Sequence, residues 1–482
     1  MKFVRTVVVI TAALVVAAMP TLAGAAPSWP AAKIVVLPAG AKGVPQGYLP
    51  ALSCATAGDC VAGGAYTNAK GVVEGLLSNE ISGVWRSPIT ITSPSDASAN
   101  PGVTVYASSC GAVGNCSAVG SYLDTTNASQ AFVVSEIGNF WHSAVAVGLP
   151  ANAVGSGQYA QLHSIACASA GNCSAVGTYS AKGTPLATTQ GLVVNEVHGV
   201  WQHADEVHLP GGTNVNPFVT LTQIACATAG NCSAIGSYID NNGATHALMV
   251  NEQSNRWLAG TSILLPGNAS TFPDAFLSSV TCTTVGNCTA VGNYDNSSGD
   301  VEGLVTNEAA RVWKRAAAMV MPTGAKANPH VFFYGFNAIA CSSTGNCSVG
   351  GQYSDASGHY QGFFVDEVNG SWQNASELKL PGGSLQAGKN GGVVALSCTS
   401  NGNCSAGAAY EDAAGSYQAL VINRVNGTWL TGTKVALPSG AASVGVDGGV
   451  YGLICKAANK CTATGSYQQS ATVYQGFTVS VN

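Results

Sequence analysis

The chain alternates short apolar runs with polar punctuation, and the runs recur in a fixed order. A representative stretch is "SIACASAGNCSAVGTYSAKGTPLATTQGLVVNEVHGVWQHADEVHLP", residues 164 to 210. Its first run ends in "SIAC", and the turn "ASAGN" leads to "CSAVGTY". A polar connection then leads to "GLVVNEV", and a tight turn at His198-Gly199 opens "VWQHADEVHL". Runs this short, bounded by Gly, Asn and Asp, predict β-strands. Nothing in the unit keeps the 3.6-residue spacing of an amphipathic helix. Each unit therefore reads as four antiparallel strands.

Residue size changes across the unit. The first two runs hold Ala, Ser, Gly and one aliphatic residue, as in "CSAIG". The third holds Val, Leu and Phe, as in "GFFVDEV", and the fourth carries a Trp. Sheets that converge on an axis and fan outward need small residues inside and large ones outside to reach interior packing density.

The unit occurs eight times. Sixteen cysteines form eight C-x5-C pairs: Cys54/Cys60, Cys110/Cys116, Cys167/Cys173, Cys226/Cys232, Cys282/Cys288, Cys341/Cys347, Cys398/Cys404 and Cys455/Cys461. Successive pairs lie 56 to 59 residues apart, and eight tryptophans, from Trp29 to Trp429, keep the same beat. Periods of this size indicate solenoids or propellers. The ends decide between them. "WPAAKIVVLP" at 29 to 38 matches the fourth run of other copies, such as "WHSAVAVGLP" at 141 to 150, while the chain stops in a third run, "YQGFTVSVN". An open solenoid wants capping units instead. The predicted fold is all-β, a single eight-bladed β-propeller with four antiparallel strands per blade, its last blade closed by the N-terminal strand.

Ahead of the repeats, Lys2 and Arg5 precede an apolar run from Val7 to Ala18 and the small-residue stretch Ala23-Gly24-Ala25. This is the pattern of a secretory signal peptide over 1–25, leaving 26–482 as the propeller. In an exported protein, paired cysteines across a hairpin turn are most simply disulfides, each a local staple at the inner rim. Metal ligation would need the pairs to converge, yet each belongs to its own blade. "NCS" at 115, 172, 231, 346 and 403 and "NCT" at 287 match the glycosylation pattern, but Asn there already has a turn role.

Other recurring polar residues read as architecture. Glu80, Glu136, Glu196, Glu252, Glu308 and Glu367 precede the Trp turn, with Arg424 in the seventh copy, and are expected to brace that turn. Asp124, Asp240, Asp355 and Asp412 open the turns after the second run, ordinary hydrogen-bonding chemistry for Asp. With a net charge of −5, 9% charged residues and no basic runs, the chain lacks the electrostatic footprint of a nucleic-acid binder. Its mean hydropathy of +0.23 reflects abundant Ala, Gly and Val, and no membrane insertion is expected.

Candidate chemistry must come from what does not repeat. The long interblade connections, such as "PGNASTFPDAF" and "PTGAKANPHVFFYGF", emerge on one face, where binding usually resides. The candidate ligand-binding residues are Tyr106, Tyr159, Phe218, Phe276, His330, Tyr334 and Tyr451, with Phe333 beside them. Their recurrence favours the plainer reading that each aromatic plugs its own interblade gap. His198, His203 and His208 do not face one another on a strand. The unrepeated acids on this face are Asp96, Asp274, Asp447 and Asp300. No catalytic, cofactor-binding or metal-binding residue is assigned, and no cofactor is expected.

The Cys–Trp repeat resembles those of secreted bacterial β-propeller repeat proteins, with an architecture similar to the sialidase-type and kelch-type propellers. The sialidase pattern S-x-D-x-G-x-T-W is absent from every copy and the arginines are scattered. Eight-bladed quinoprotein dehydrogenases also carry a Trp turn in each blade, at a longer spacing than "NGSW". The resemblance implies the fold and no activity. The expectation is a secreted, non-enzymatic, monomeric binding propeller for a glycan or cell-surface protein. The alternative is a carbohydrate-active hydrolase or lyase, or an oxidoreductase, on the same scaffold, which a cluster of Asp96, Asp274 and Asp447 would favour.

Overall fold

The fold was analysed in a computed structural model that describes residues 28–481, apart from 40, 42–47, 156, 184–186, 334–337, 383–389, 440, 442–447 and 471–472. The signal-peptide expectation for 1–25 lies outside the described residues.

Eight antiparallel sheets form the ring, and among the described residues there is no helix. Blade 1 shows the plan. Tyr48–Thr56 pairs with Asp59–Thr67, which pairs with Val73–Ile81, and the fourth strand is two short pieces, Val84–Trp85 and Ile89–Thr90. The split outer strand offers little unpaired backbone to other chains, a common way of protecting a sheet edge. Blades 2 to 7 repeat this order.

Blade 8 is composite. Gly448–Ala457, Lys460–Ser470 and Val473–Val481 supply three strands, and Lys33–Ile34 supplies the fourth, with Ile34 opposite Phe477. Val35 N–H adds a bond to the Gly476 carbonyl at 3.0 Å, and Trp29 packs on the cluster that holds Phe477. The expected closure is present.

All sixteen cysteines are paired within their own hairpins, as expected: Cys54–Cys60, Cys110–Cys116, Cys167–Cys173, Cys226–Cys232, Cys282–Cys288, Cys341–Cys347, Cys398–Cys404 and Cys455–Cys461. The Cα–Cα distances are 3.9 to 4.0 Å and no thiol is free. Each bond closes a short loop, worth about 2 kcal/mol in the chain-entropy account.

The staples are local, as expected, and their sulfurs also pack between blades. The second cysteine of every pair (Cys60, Cys116, Cys173, Cys232, Cys288, Cys347, Cys404 and Cys461) is buried. Cys173 Sγ lies 3.9 Å from Ser117 Oγ of the preceding blade, Cys288 Sγ 3.4 Å from Ser233 Oγ, and Cys347 Sγ 3.7 Å from Thr289 Oγ1. Cys116 shares a core cluster with Val61 of blade 1, and Cys60 packs with Leu52 and with Ile454 of blade 8. The reason is geometric. Second-strand side chains alternate across the sheet, and the one opposite the first-strand cysteine points into the gap between blades. Buried and oxidised, these sulfurs are core, and they present nothing to a ligand at the surface.

The first strands stand around the axis, each touching the next. Their free edges are knitted by hydroxyls of the preceding blade: Cys110 N–H donates to Ser53 Oγ at 2.9 Å and Cys167 N–H to Ser109 Oγ at 2.8 Å.

The phrase "CSAVGSY" has a backbone reason as well as a packing one. First strands carry a β-bulge, for example between Val105 and Ala107 and between Leu221 and Gln223. The bulge thrusts a carbonyl toward the second strand. A Cβ on Gly120 would lie 1.8 Å from the Thr104 oxygen, and one on Gly236 would lie 1.8 Å from the Thr220 oxygen. Gly is the residue that fits so close an approach, and blade 7, with Ala408 opposite its bulge, is the exception.

The repeated Glu residues join blades, correcting the expectation that they brace a turn. Asn195 Nδ2 of blade 3 donates to Glu252 of blade 4 at 2.6 Å, and Trp257 Nε1 of blade 4 donates back to Asn195 Oδ1 at 3.0 Å. The same contact couples Asn79 to Glu136, Asn251 to Glu308 at 2.8 Å, and Asn307 to Glu367 at 2.6 Å. Ser135 reaches Glu196 at 3.4 Å, and Ser480 reaches Glu80 at 2.8 Å. Burial raises the carboxyls of Glu136, Glu196, Glu252, Glu308 and Glu367 above the ordinary range, with the hydrogen bonds opposing it.

Candidate active site at the channel mouth

Strand direction separates two faces. The disulfide turns and Trp turns share one; the long connections and the ends of the second strands share the other, where the first strands begin. On this second face the connections of blades 2, 4, 5 and 6 are clamped in one way. A proline carbonyl accepts the N–H of the last second-strand residue: Pro101 from Leu123 at 2.6 Å, Pro217 from Ile239 at 2.7 Å, Pro273 from Asp295 at 2.5 Å and Pro329 from Ser354 at 2.6 Å. The residue after each proline has positive φ: Gly102 at 57°, Phe218 at 45°, Asp274 at 37° and His330 at 41°. For Phe, Asp and His this is a costly conformation, persisting only where the surroundings impose it.

The clamp brings chemistry together in blade 5. The Asp295 N–H bond to Pro273 draws the Asp274 segment toward the Asp295 end of the second strand, and the charges of Asp274 and of His330 of blade 6 both act on the Asp295 carboxyl. The Asp295 carboxyl is raised above the usual carboxylate range, chiefly by partial burial, then by the Asp274 charge, with His330 opposing. Two neighbouring carboxyls cannot ionise as easily as one, and carboxyls whose surroundings push their pKa values apart are an arrangement used for acid–base chemistry. Asp274 is exposed and Asp295 half-buried.

The other predicted acids do not join them. Asp96, in the connection to blade 2, accepts the Tyr122 hydroxyl at 2.7 Å. Asp300 accepts from Asn296 Nδ2 at 3.3 Å within a turn. Asp447 and Tyr334 lie outside the described residues.

The aromatics divide: Phe333 packs on the core between blades 5 and 6, its ring 6.0 Å from Phe363, as the plug reading expects, whereas four others do not. Tyr159, Phe218, Phe276 and Tyr451 are 48%, 55%, 37% and 37% exposed, so they face solvent at the rim. Phe276, Tyr106 and Tyr451 belong to first strands rather than loops, and Tyr106 and Tyr451 are their bulge residues. Tyr106 is half-buried, with its hydroxyl 3.2 Å from Ser121 Oγ. Sequence reading also passed over His163, the bulge residue of blade 3, whose Nδ1 lies 2.9 Å from the Leu221 carbonyl and which burial makes harder to protonate. Asp295 was missed too, because it occupies the slot after the second-strand Tyr that Leu123 and Ile239 fill elsewhere.

Cys226, Cys232 and Glu252 have ligand atoms within 4.8 Å of one another. The two sulfurs are bonded to each other, so neither offers a thiolate to a metal.

No family model and no curated protein matches the chain. Solved structures do. The chain is similar to an ulvan lyase, a polysaccharide lyase, at 11% identity and a TM-score of 0.45, over 77% of this chain and 90% of that one. An α-L-arabinofuranosidase from Fusarium graminearum aligns at 10% identity and a TM-score of 0.34, over 64% and 89%. A sialidase from Trypanosoma rangeli aligns at 10% identity and 0.33, over 76% and 52%. These values describe a likeness of fold. These structures are carbohydrate-active enzymes, a finding against the expectation of a non-enzymatic binding propeller, which is withdrawn.

Proposed function

We propose that the protein is a secreted carbohydrate-active enzyme that cleaves a glycan at the channel mouth between blades 5 and 6. The observation that carries this reading is the Asp274–Asp295 pair with His330 beside it. Among the described residues, Asp295 is the one carboxyl whose rise is attributed in part to a second carboxylate. Asp295 serves as the proton donor to the leaving oxygen and Asp274 as the second carboxylate, the two-carboxyl division of glycosidic cleavage. The exposed rings of Phe218, Phe276 and Tyr159 offer apolar faces for sugar rings along the rim. Eight disulfides suit an oxidising, extracellular setting.

The test is a panel of plant, algal and microbial polysaccharides incubated with the mature protein, read by new reducing ends and by ultraviolet absorbance of unsaturated products. Asp295→Asn is expected to lower the rate by about 10²- to 10⁴-fold, the usual contribution of a positioned acid. Unsaturated products would assign elimination, and saturated ones hydrolysis. Rates unchanged in Asp295→Asn, or no product from any polysaccharide, would sink the reading. The raised Asp295 carboxyl also fixes the pH profile. Activity is lost as pH rises through its titration, and His330→Gln, which removes the opposing positive charge, moves that alkaline limb to higher pH.

A further inference from the structure

The seam between blades 6 and 7 breaks the repeat on the opposite, disulfide-bearing face. Where six other seams place Asn or Ser against Glu, this one places Asp366 against Arg424. The seams between blades 1 and 2 and between blades 4 and 5 enclose cavities of about 10 Å³. The seams between blades 6 and 7 and between blades 7 and 8 open wider, to about 300 and 220 Å³, with Arg424 lining both; Ser342, Asn346, Glu367, Asn401 and Asn426 line the first. The first volume reaches the lower end of small-molecule sites, and its polar lining consists of hydroxyls, carboxamides, the Arg424 guanidinium and the Glu367 carboxylate, with Val368 and Cys404 adding apolar surface.

Arg424 is only 7% exposed. Its Nη2 meets Asp366 at 3.1 Å and its Nη1 donates to Ser348 Oγ at 3.3 Å, while its buried Nε has no partner. A buried donor without an acceptor is unfavourable and marks a place for an added oxygen. The guanidinium charge is already matched by Asp366, so the cavity presents donors without a net positive charge. We propose that the cavity between blades 6 and 7 binds a single neutral sugar unit, whose hydroxyls bond Arg424 and the surrounding Asn side chains. The site is separate from the acid pair and does not rest on the catalytic reading.

The experiment is saturation-transfer NMR and calorimetry on the full mature chain with glucose, galactose, mannose and rhamnose, using glucuronate and sulfate as anionic probes. A neutral sugar is expected to bind. Its affinity should fall at least tenfold in the double variant Asp366→Asn/Arg424→Glu, which rebuilds the pair of the other seams, and stay unchanged in Asp295→Asn. Asn401→Ala, at the mouth of the cavity, gives a second measure, with an expected loss of severalfold, should the double variant fold poorly. Binding unaffected by both seam variants, tighter binding of glucuronate or sulfate than of any neutral sugar, or ordered water alone in a sugar-soaked crystal would overturn the proposal.

Discussion

Seven of the eight seams are of two kinds that differ by an exchange of charge, and the eighth, between blades 7 and 8, has the uncharged Val481 in the same slot. At six seams a Glu of one blade accepts a hydrogen bond from an Asn, Ser or Thr of the preceding blade. Between blades 6 and 7 the pair is inverted: Asp366 accepts and Arg424 donates, 3.1 Å apart. The Trp bond survives the exchange, since Trp429 Nε1 donates to Asp366 at 3.2 Å much as Trp141 Nε1 donates to Asn79 at 2.9 Å. An acceptor for Trp is thus compatible with either arrangement of the remaining charge, provided that both partners change together. The seams flanking blade 8 show what happens without it: Trp29 and Trp85 have buried Nε1 atoms with no partner.

The sharpest break of this comparison is Arg424→Glu alone. It sets two carboxylates face to face in a buried seam, and the loss should be about 3–5 kcal/mol, the usual cost of breaking a buried ion pair. Adding Asp366→Asn should restore most of it, with a coupling of roughly 0.5–3 kcal/mol in a double-mutant cycle by denaturant unfolding. An additive cycle would deny that the two positions are matched. Smaller is Asn79→Ala, which leaves Glu136 and Trp141 without their shared partner. A loss of about 1–3 kcal/mol is expected from orphaned buried groups, and a smaller loss from Ser135→Ala, where the bond to Glu196 is 3.4 Å long.

The smallest effect is on pH dependence. Five seam carboxyls have folded pKa values raised above their unfolded ones. The folded state therefore holds their protons more tightly, and stability should rise as pH falls from neutrality through these raised values to the ordinary Glu value. Glu252→Gln keeps an acceptor for Asn195, raises stability at pH 7 by about 1 kcal/mol or less, and flattens the profile. At lower pH the trend reverses, because turn carboxyls such as Asp124, held at about 2 chiefly by hydrogen bonds from Thr126, Gln130 and Ala128 against partial desolvation, must take up protons. A thermal-denaturation series across pH 3 to 8 checks both limbs.

Much of the ring was legible in the chain because its signals are local and periodic. Blade number, strand order, disulfide pairing and the closing strand each follow from runs that repeat. The role of Glu252 was not, because its partner Asn195 lies 57 residues away and within one blade the pair has no visible reason. The packing of Cys288 on Ser233 was hidden in the same way, across 55 residues. One clue was present: "VDEV" and "INRV" depart from the repeat in consecutive copies, a paired change that only interblade contact explains. Asp295 was hidden for a related reason. Its neighbourhood with Asp274 depends on the Pro273 clamp and on a bend at positive φ, neither of which a pattern of apolar runs encodes.

Local cross-linking also bears on how such a chain matures. Every sulfur finds its mate six positions away, so correct oxidation requires no knowledge of the neighbouring blades and can be complete as soon as a single hairpin has formed. Circularisation waits for both extremities and rests on a register of two residues, Lys33 and Ile34. The molecule thus separates an early, autonomous chemical step from a late, mechanical one, and a cut near residue 30 should open the circle while leaving all eight covalent links intact.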